Sequence, residues 1–247
     1  MTESNSIPSL MKAAQQNGFG DVRQVLTLRD DVPVPRELTS KQILVRVCAA
    51  SINPIDWKTL NGNLSLIARF SFPHIPGKDV AGIIVDKGSA VKRFQIGDQV
   101  YGNLSMNDGS YAEYVRGDEA LFALKPANLS MEQAAAIPLA CETSYQALFT
   151  KVSPAVSSAS KVCIAGGSTA TGLYAVQLAK AVGARVTTTS SQRNFQLFEK
   201  LGSQFLSSKF NPSYIVFFSL NSFPRLSNNV DTRRREHRWK TIACHRL

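Results

Sequence analysis

Between Lys161 and Thr189 the chain reads KVCIAGGSTATGLYAVQLAKAVGARVTTT, a run that few folds can accommodate. Val162–Ala165 is an apolar strand, Gly166–Gly172 a loop of small residues, Leu173–Val182 an amphipathic helix and Arg185–Thr189 a second strand. Strand, glycine loop, helix and strand make a β-α-β unit, whose crossover sets the two strands parallel. The loop also has a chemical consequence. It aims backbone N–H groups and the positive end of a helix at one point, where a dinucleotide pyrophosphate can bind. Gly166, Gly167, Ser168, Thr169, Ala170, Thr171 and Gly172 are therefore the candidate phosphate contacts.

The chain before this unit is patterned differently. From Val22 to Lys125 short apolar runs alternate with turn residues: Ile43–Ala50 before Asn53-Pro54, Val80–Val85 before Lys87-Gly88, Gln99–Tyr101 after Gly97-Asp98, and Tyr111–Val115 after Gly109-Ser110. Short strands at this spacing predict a mostly β, barrel-like domain over 21–128, preceded by a loosely held N-terminus over 1–20. Near Leu129 the pattern turns helical. Ser130, followed by Glu132 and Gln133, is placed to cap a helix through Ala134–Ala136; Pro138 limits it, and Glu142–Phe149 reads as another helical stretch. A Ser-rich connector over 151–160 then leads into the β-α-β unit. The expected fold class is α/β with a β domain: a partly open N-terminal barrel followed by an incomplete parallel sheet.

Only 58 of the 247 residues follow Thr189. Asn194–Lys200 reads as the next crossover helix, ending near Gly202, so a nucleotide domain is expected over 129–204. The remainder, 205–247, is unlike the body. Tyr214–Leu220 (YIVFFSL) is strand-like but has no β-α-β pattern around it, and an Arg-rich end follows. Residues 1–208 hold 20 Lys+Arg against 16 Asp+Glu, and 209–247 hold 8 against 2, so +6 of the net +10 sits in this tail. A solvated basic end accounts for that charge, and the body carries no nucleic-acid-binding signature. With 44% hydrophobic and 19% charged residues the composition is that of a globular protein. No apolar run approaches the ~18 residues of a membrane helix, and the start MTESNSIPSLMKAAQQ has neither a signal nor a transit pattern, so the expected location is the cytoplasm. Cys48, Cys141, Cys163 and Cys244 form no C-x-x-C spacing; Cys48 and Cys163 lie in strand-like runs and read as reduced core residues.

Several ordered blocks carry a resemblance: Ala49–Lys58 (AASINPIDWK), Phe72–Gly82 (FPHIPGKDVAG), Val91–Gly102 (VKRFQIGDQVYG), Gly109–Val115 (GSYAEYV), Ala134–Leu148 and the β-α-β unit. Over roughly residues 20–202 the chain resembles the zinc-independent quinone oxidoreductases of the medium-chain dehydrogenase/reductase superfamily. The resemblance implies a GroES-like barrel joined to a Rossmann-type domain, with a substrate cleft between them. It also implies hydride transfer from NADPH to quinones or α,β-unsaturated carbonyls. Zinc-dependent relatives place a cysteine where Asn53 stands and a His-Glu pair where Lys78-Asp79 stand. Asn and Lys do not replace thiolate and imidazole, so no metal is expected. By the same resemblance Asn53 lies near the nicotinamide and the substrate carbonyl, and Thr143 near the carboxamide.

Cofactor preference has a marker in the residues. An NAD enzyme usually carries an acid at the end of the second strand, which grips the ribose 2′-OH and repels a 2′-phosphate. Between Arg185 and Phe198 there is none; Ser191, Arg193 and Asn194 offer hydroxyl, guanidinium and amide instead. That set suits NADP(H), although an ordinary polar turn before a helix would read the same way. The glycine loop departs from the family, with Ser168, Thr169, Ala170 and Thr171 at its centre. A Cβ is strained wherever φ is positive, whereas at negative φ the hydroxyls can donate to phosphate. Among other groups, Lys58 suits either cofactor phosphates or the surface. Tyr101, Tyr111 and Tyr114 suit proton donation or the core, and His74, between two prolines, suits a loop. Relatives continue well beyond Gly202, completing the sheet, the catalytic domain and, in many, a dimer edge. A homodimer here would lack that edge, and a truncated or mis-joined relative, inactive or serving as a cofactor-binding or interaction module, is the alternative expectation.

Overall fold

The computed structural model describes residues 6–65, 70–105 and 109–205. The chain divides into two compact units, Met1–Leu139 and Ala140–Leu247. The tail over 206–247, with its strand-like Tyr214–Leu220, its arginine cluster and Cys244, lies outside the described residues.

In the first unit β1 (Leu10–Gln16) pairs antiparallel with β2 (Leu26–Pro33), and the short α1 (Val22–Val25) sits in the connection, capped by Asp21. Leu10–Gln16 falls in the stretch expected to be loosely held. It is a strand because Met11 and Ala13 are buried against Val32, Val34 and Leu44, in a second small core that the polar flanks conceal in sequence. β3 (Gln42–Ser51), α2 (Pro54–Leu60), β4 (Asp79–Lys87), β5 (Gln99–Asn103), β6 (Tyr114–Asp118) and β7 (Phe122–Leu124) follow. The five strands form an antiparallel sheet in the order β6-β3-β4-β5-β7, with no closing pair among the described residues, hence a partly open barrel. Its core is aliphatic: Ile43, Val45, Val80, Ile84, Val100 and Leu104 surround Phe94 and Phe122. Burying side chains of this kind contributes roughly 1.5–3 kcal/mol each. The helix α3 (Met131–Ala135) packs on β3, β4 and β5. Its start matches the sequence reading, with Ser130 Oγ accepting from the Gln133 N–H (3.2 Å) and Gln133 Oε1 from the Ser130 N–H (2.9 Å). The two compact units part after Leu139.

The second unit begins in α4 (Pro138–Tyr145), which continues through a π-helical turn at Gln146–Thr150. β8 (Lys161–Ile164), α5 (Ala170–Ala181) and β9 (Arg185–Thr188) form the expected β-α-β unit, with β8 and β9 parallel. After a 3-10 turn at Gln192–Asn194, α6 (Phe195–Lys200) leads to β10 (Gln204–Phe205). β10 pairs parallel with β9, giving the order β10-β9-β8. The sheet therefore has a third strand. Its two residues are too short for a hydrophobic pattern to reveal. Val162, Ile164, Val176, Ala179, Val186 and Phe198 are buried in this unit.

Candidate functional site

The second unit builds its loop from the ends of its own strands. Gly166 has φ +74°, a left-handed conformation that glycine adopts without a Cβ penalty. The turn is sealed onto the end of β9: the Gly166 N–H donates to Thr189 Oγ1 and the Gly167 N–H to the Thr189 carbonyl, both at 2.9 Å. Thr169 is the N-cap of α5, with φ −75° and ψ 159°. Its Oγ1 accepts from the Gly172 N–H at 3.0 Å and donates to the Gly166 carbonyl at 2.8 Å. No residue from Ser168 to Thr171 has a positive φ, so the side chains at the centre of the loop sit there unstrained. Gly172 is required for closeness, since a Cβ on it would lie 2.2 Å from the Gly166 carbonyl oxygen.

The N–H groups of Ser168, Ala170 and Thr171 take no part in these bonds. The last two open a helix of 12 residues, and the first N–H groups of a helix have no partner within it. Three outward N–H groups at a positive helix end, beside the hydroxyls of Ser168 and Thr171, fit a pyrophosphate. Beyond Thr189, Ser191 begins the 3-10 turn, and the Asn194 amide donates to Ser191 Oγ at 3.3 Å. Arg193 is exposed and enters neither of the ion pairs found among the described residues. The polar turn is thus tied to the glycine loop through Thr189, which puts a guanidinium, hydroxyls and an amide on the same strand end. Thr143 is half-buried on α4. Its neighbour Ser144, fully buried, has its hydroxyl 2.8 Å from the Ala140 carbonyl and 2.7 Å from the Thr171 carbonyl, so its one hydrogen is shared between them and links α4 to the first turn of α5. Sequence reading passed over Ser144 because a lone serine in a helix gives no signal.

The first unit holds a buried polar cluster around Asn53. Asn53 is the N-cap of α2, Pro54 opens the helix and Asp56 completes a capping box. The Asn53 N–H donates to Asp56 Oδ2 at 2.7 Å. The Asn53 side-chain amide donates to Asp79 Oδ2 at 2.9 Å and to Ser51 Oγ at 3.2 Å, and Ser51 Oγ donates to the same Asp79 oxygen at 3.0 Å. The Leu139 N–H donates to both oxygens of Asp79, at 3.0 and 3.2 Å. Tyr111 OH donates to Asp56 Oδ2 at 2.9 Å. Asp79 is 0% and Asp56 3% exposed, so both carboxyl groups depend on these donors. Asn53-Pro54, a plain turn by dipeptide statistics, is in fact a helix start; the pattern Asn-Pro-x-Asp held that signal.

Tyr101, Tyr114, Lys58 and His74 lie elsewhere in the first unit. Tyr101 is buried in β5 and Tyr114 half-buried in β6. Lys58 Nζ lies 5.8 Å from the Trp57 ring centroid. His74 forms a backbone bridge with Gln16 and its ring packs edge-on to Phe70. Among the described cysteines Cys141 and Cys163 are buried, and burial raises the Cys163 pKa from its ordinary value of 9.0. Cys48 is exposed, not a core residue as its run suggested, because strand alternation puts it on the outer face of β3.

A GroES-like sheet followed by a Rossmann-type β-α-β unit defines a nucleotide-dependent dehydrogenase architecture. Residues 39–127 match the alcohol dehydrogenase GroES-like domain. The chain is 40% identical over 209 residues to a 2-methylene-furan-3-one reductase of Solanum lycopersicum, covering 81% of this chain and 52% of that one. It is 38% identical over 212 residues to an NADPH-dependent alkenal/one oxidoreductase, chloroplastic, of Arabidopsis thaliana, covering 82% and 53%. The solved structure of a quinone oxidoreductase from Coxiella burnetii matches with a TM-score of 0.67 at 38% identity, covering 80% of this chain and 62% of that one. The chain belongs to the medium-chain dehydrogenase/reductase superfamily. It spans about half the length of the two curated relatives.

Proposed function

We propose that this chain carries the dinucleotide loop and the Asn53 cluster of an NADPH-dependent reductase of quinones or α,β-unsaturated carbonyls. The observation that carries the reading is the β8-loop-α5 geometry, in which Thr169 caps the helix and the N–H groups of Ser168, Ala170 and Thr171 stay outward. The names of the relatives support the substrate class. Gly166–Gly172 holds the pyrophosphate, Ser191, Arg193 and Asn194 hold a 2′-phosphate, and Thr143 contacts the carboxamide. When bound, the dinucleotide supplies the hydride. The chain supplies orientation: Ser144 fixes the first turn of α5, and Thr189 holds the loop against β9. Zinc independence belongs to the same proposal. The positions that would carry metal ligands hold an amide-carboxyl hydrogen bond between Asn53 and Asp79.

Titration of NADPH followed by its fluorescence, together with acceptor-dependent NADPH oxidation over a panel of quinones and enones, tests the reading. Binding and turnover support it, and absence of both in folded protein removes it. A second reading, a cofactor-binding module without turnover, is suggested by the side chains at Ser168–Thr171 in the centre of the loop. Binding across the whole panel with no oxidation distinguishes it. Light scattering of the purified chain measures any self-association. No helix among the described residues is long and apolar enough to cross a membrane. A cytosolic site is proposed and is tested by imaging a fluorescent fusion; organellar signal would displace it.

A further inference from the structure

We propose that the first unit binds a small monoanionic carboxylic acid with an apolar body, in a pocket where β1 and the end of β2 meet β6, the edge strand of the five-stranded sheet. The proposal goes beyond the reductase reading and does not depend on it. The pocket has a volume of about 410 Å³, within the range of small-molecule sites. It shares no residue with the dinucleotide loop or with the cluster around Asn53. Strand alternation decides which side chains meet it. In β6 Val115 belongs to the barrel core while Tyr114 packs on the second core with Met11 and Leu44, so Tyr114 and Arg116 share the face turned to β1 and β2. In β3 Ile43 lies in the barrel core and Leu44 in the second, which puts Gln42 on the Leu44 face. Leu44 stands opposite Arg116 and Gln42 opposite Asp118, so Gln42 and Arg116 are diagonal neighbours, about 7–8 Å apart.

The donors on this face are not spent within the protein. Arg116 Nη1 donates to the Glu37 carbonyl at 2.7 Å, and among the described residues its guanidinium makes no other bond. Gln42 Oε1 accepts from the Thr39 N–H at 3.0 Å, which leaves the hydrogens of its amide unspent. The Tyr114 hydroxyl has no partner among the described residues. Of the described residues that line the pocket, Arg116 carries the one permanent charge and none is a carboxylate. A guanidinium fork with an amide and a phenol beside it recognises a carboxylate. One guanidinium balances one negative charge, which selects a monoanion over a phosphate ester. Met11, Ile75 and the prolines at 33, 35 and 73 supply the apolar wall for the rest of the ligand.

Calorimetric titration of the full chain with benzoate and with hexanoate, at fixed ionic strength, tests the proposal, with benzamide as the neutral counterpart of benzoate. Saturable binding of a carboxylate with a millimolar or tighter Kd is expected, and benzamide should bind about tenfold more weakly. Arg116→Gln should weaken the carboxylate about tenfold. Tyr114→Phe deletes only a hydroxyl that has no protein partner, so it should weaken the carboxylate severalfold and leave the Tm of the free protein unchanged. Arg193→Ala should leave carboxylate affinity as in the parent, because Arg193 belongs to the turn after β9 in the second unit. Circular dichroism checks the fold of each variant, and the Tyr114→Phe comparison decides the matter should Arg116→Gln not fold. Absence of saturable carboxylate binding, benzamide bound as tightly as benzoate, or parental affinity in Arg116→Gln or Tyr114→Phe overturns the proposal. So does affinity lost in Arg193→Ala, which would move the carboxylate to the dinucleotide site.

Discussion

Replacing Gly172 by alanine adds one methyl group at the tightest point of the dinucleotide loop. The new Cβ would stand 2.2 Å from the Gly166 carbonyl oxygen and 2.8 Å from the Gly167 Cα. Ordinary contact between such atoms is about 3.4 Å or more, so the first turn of α5 and the loop must separate by roughly 1 Å. Both offending atoms are backbone, and no rotamer change relieves them. Overpacking of this kind costs about 1–3 kcal/mol, which lowers Tm by about 2–4 °C per kcal/mol in a domain of this size. The same displacement shifts the N–H groups of Ala170 and Thr171 relative to Ser168, so the Kd for NADPH should rise about tenfold or more for a 1.4 kcal/mol loss. Gly18→Ala is the control, because nothing lies within 4 Å of its added Cβ. Thermal unfolding by circular dichroism and NADPH fluorescence titration read the two effects. A Gly172→Ala variant with the Tm and Kd of the parent would refute the packing argument.

Four further outcomes are expected. Thr169→Ala removes the cap on the Gly172 N–H and should cost about 0.5–2 kcal/mol, most of it restored by Thr169→Ser, as urea unfolding will show. Arg193→Ala should raise the Kd for NADPH about tenfold while leaving NADH unchanged; an equal change for both cofactors would remove Arg193 from the 2′-phosphate site. In native protein Cys48 should react with a thiol reagent while Cys141 and Cys163 stay protected until unfolding. Because burial raises the Cys163 pKa, its share of stability is present below the ordinary thiol value of 9.0 and declines as pH rises above it, which Cys163→Ala should abolish.

What could be read before the structure follows from the range of the forces involved. The β-α-β unit was legible because loop glycines, helical spacing and β-prone flanks are all local, and β8, α5 and β9 fall within a few residues of their expected limits. The Ser130 cap was equally local. β1 was missed because its burial depends on Val32, Val34 and Leu44, supplied by later elements. The same limit applies to the cluster around Asn53. Ser51, Asn53 and Asp56 are neighbours in sequence, but Asp79, Tyr111 and Leu139 join them only through the pairing of β3 with β4 and the path of the chain after α3. The concern over side chains in the glycine loop could be settled only by φ, which sequence does not fix at Ser168–Thr171.

The dinucleotide site is tested most directly by titrating the folded chain with NADPH and NADH in parallel, reading cofactor fluorescence with fold checked by circular dichroism. The outward N–H groups of α5 and the acid-free turn at Ser191–Asn194 predict saturable binding of NADPH and weaker binding of NADH. Folded protein that binds neither cofactor, or that prefers NADH, would contradict the assignment of this loop.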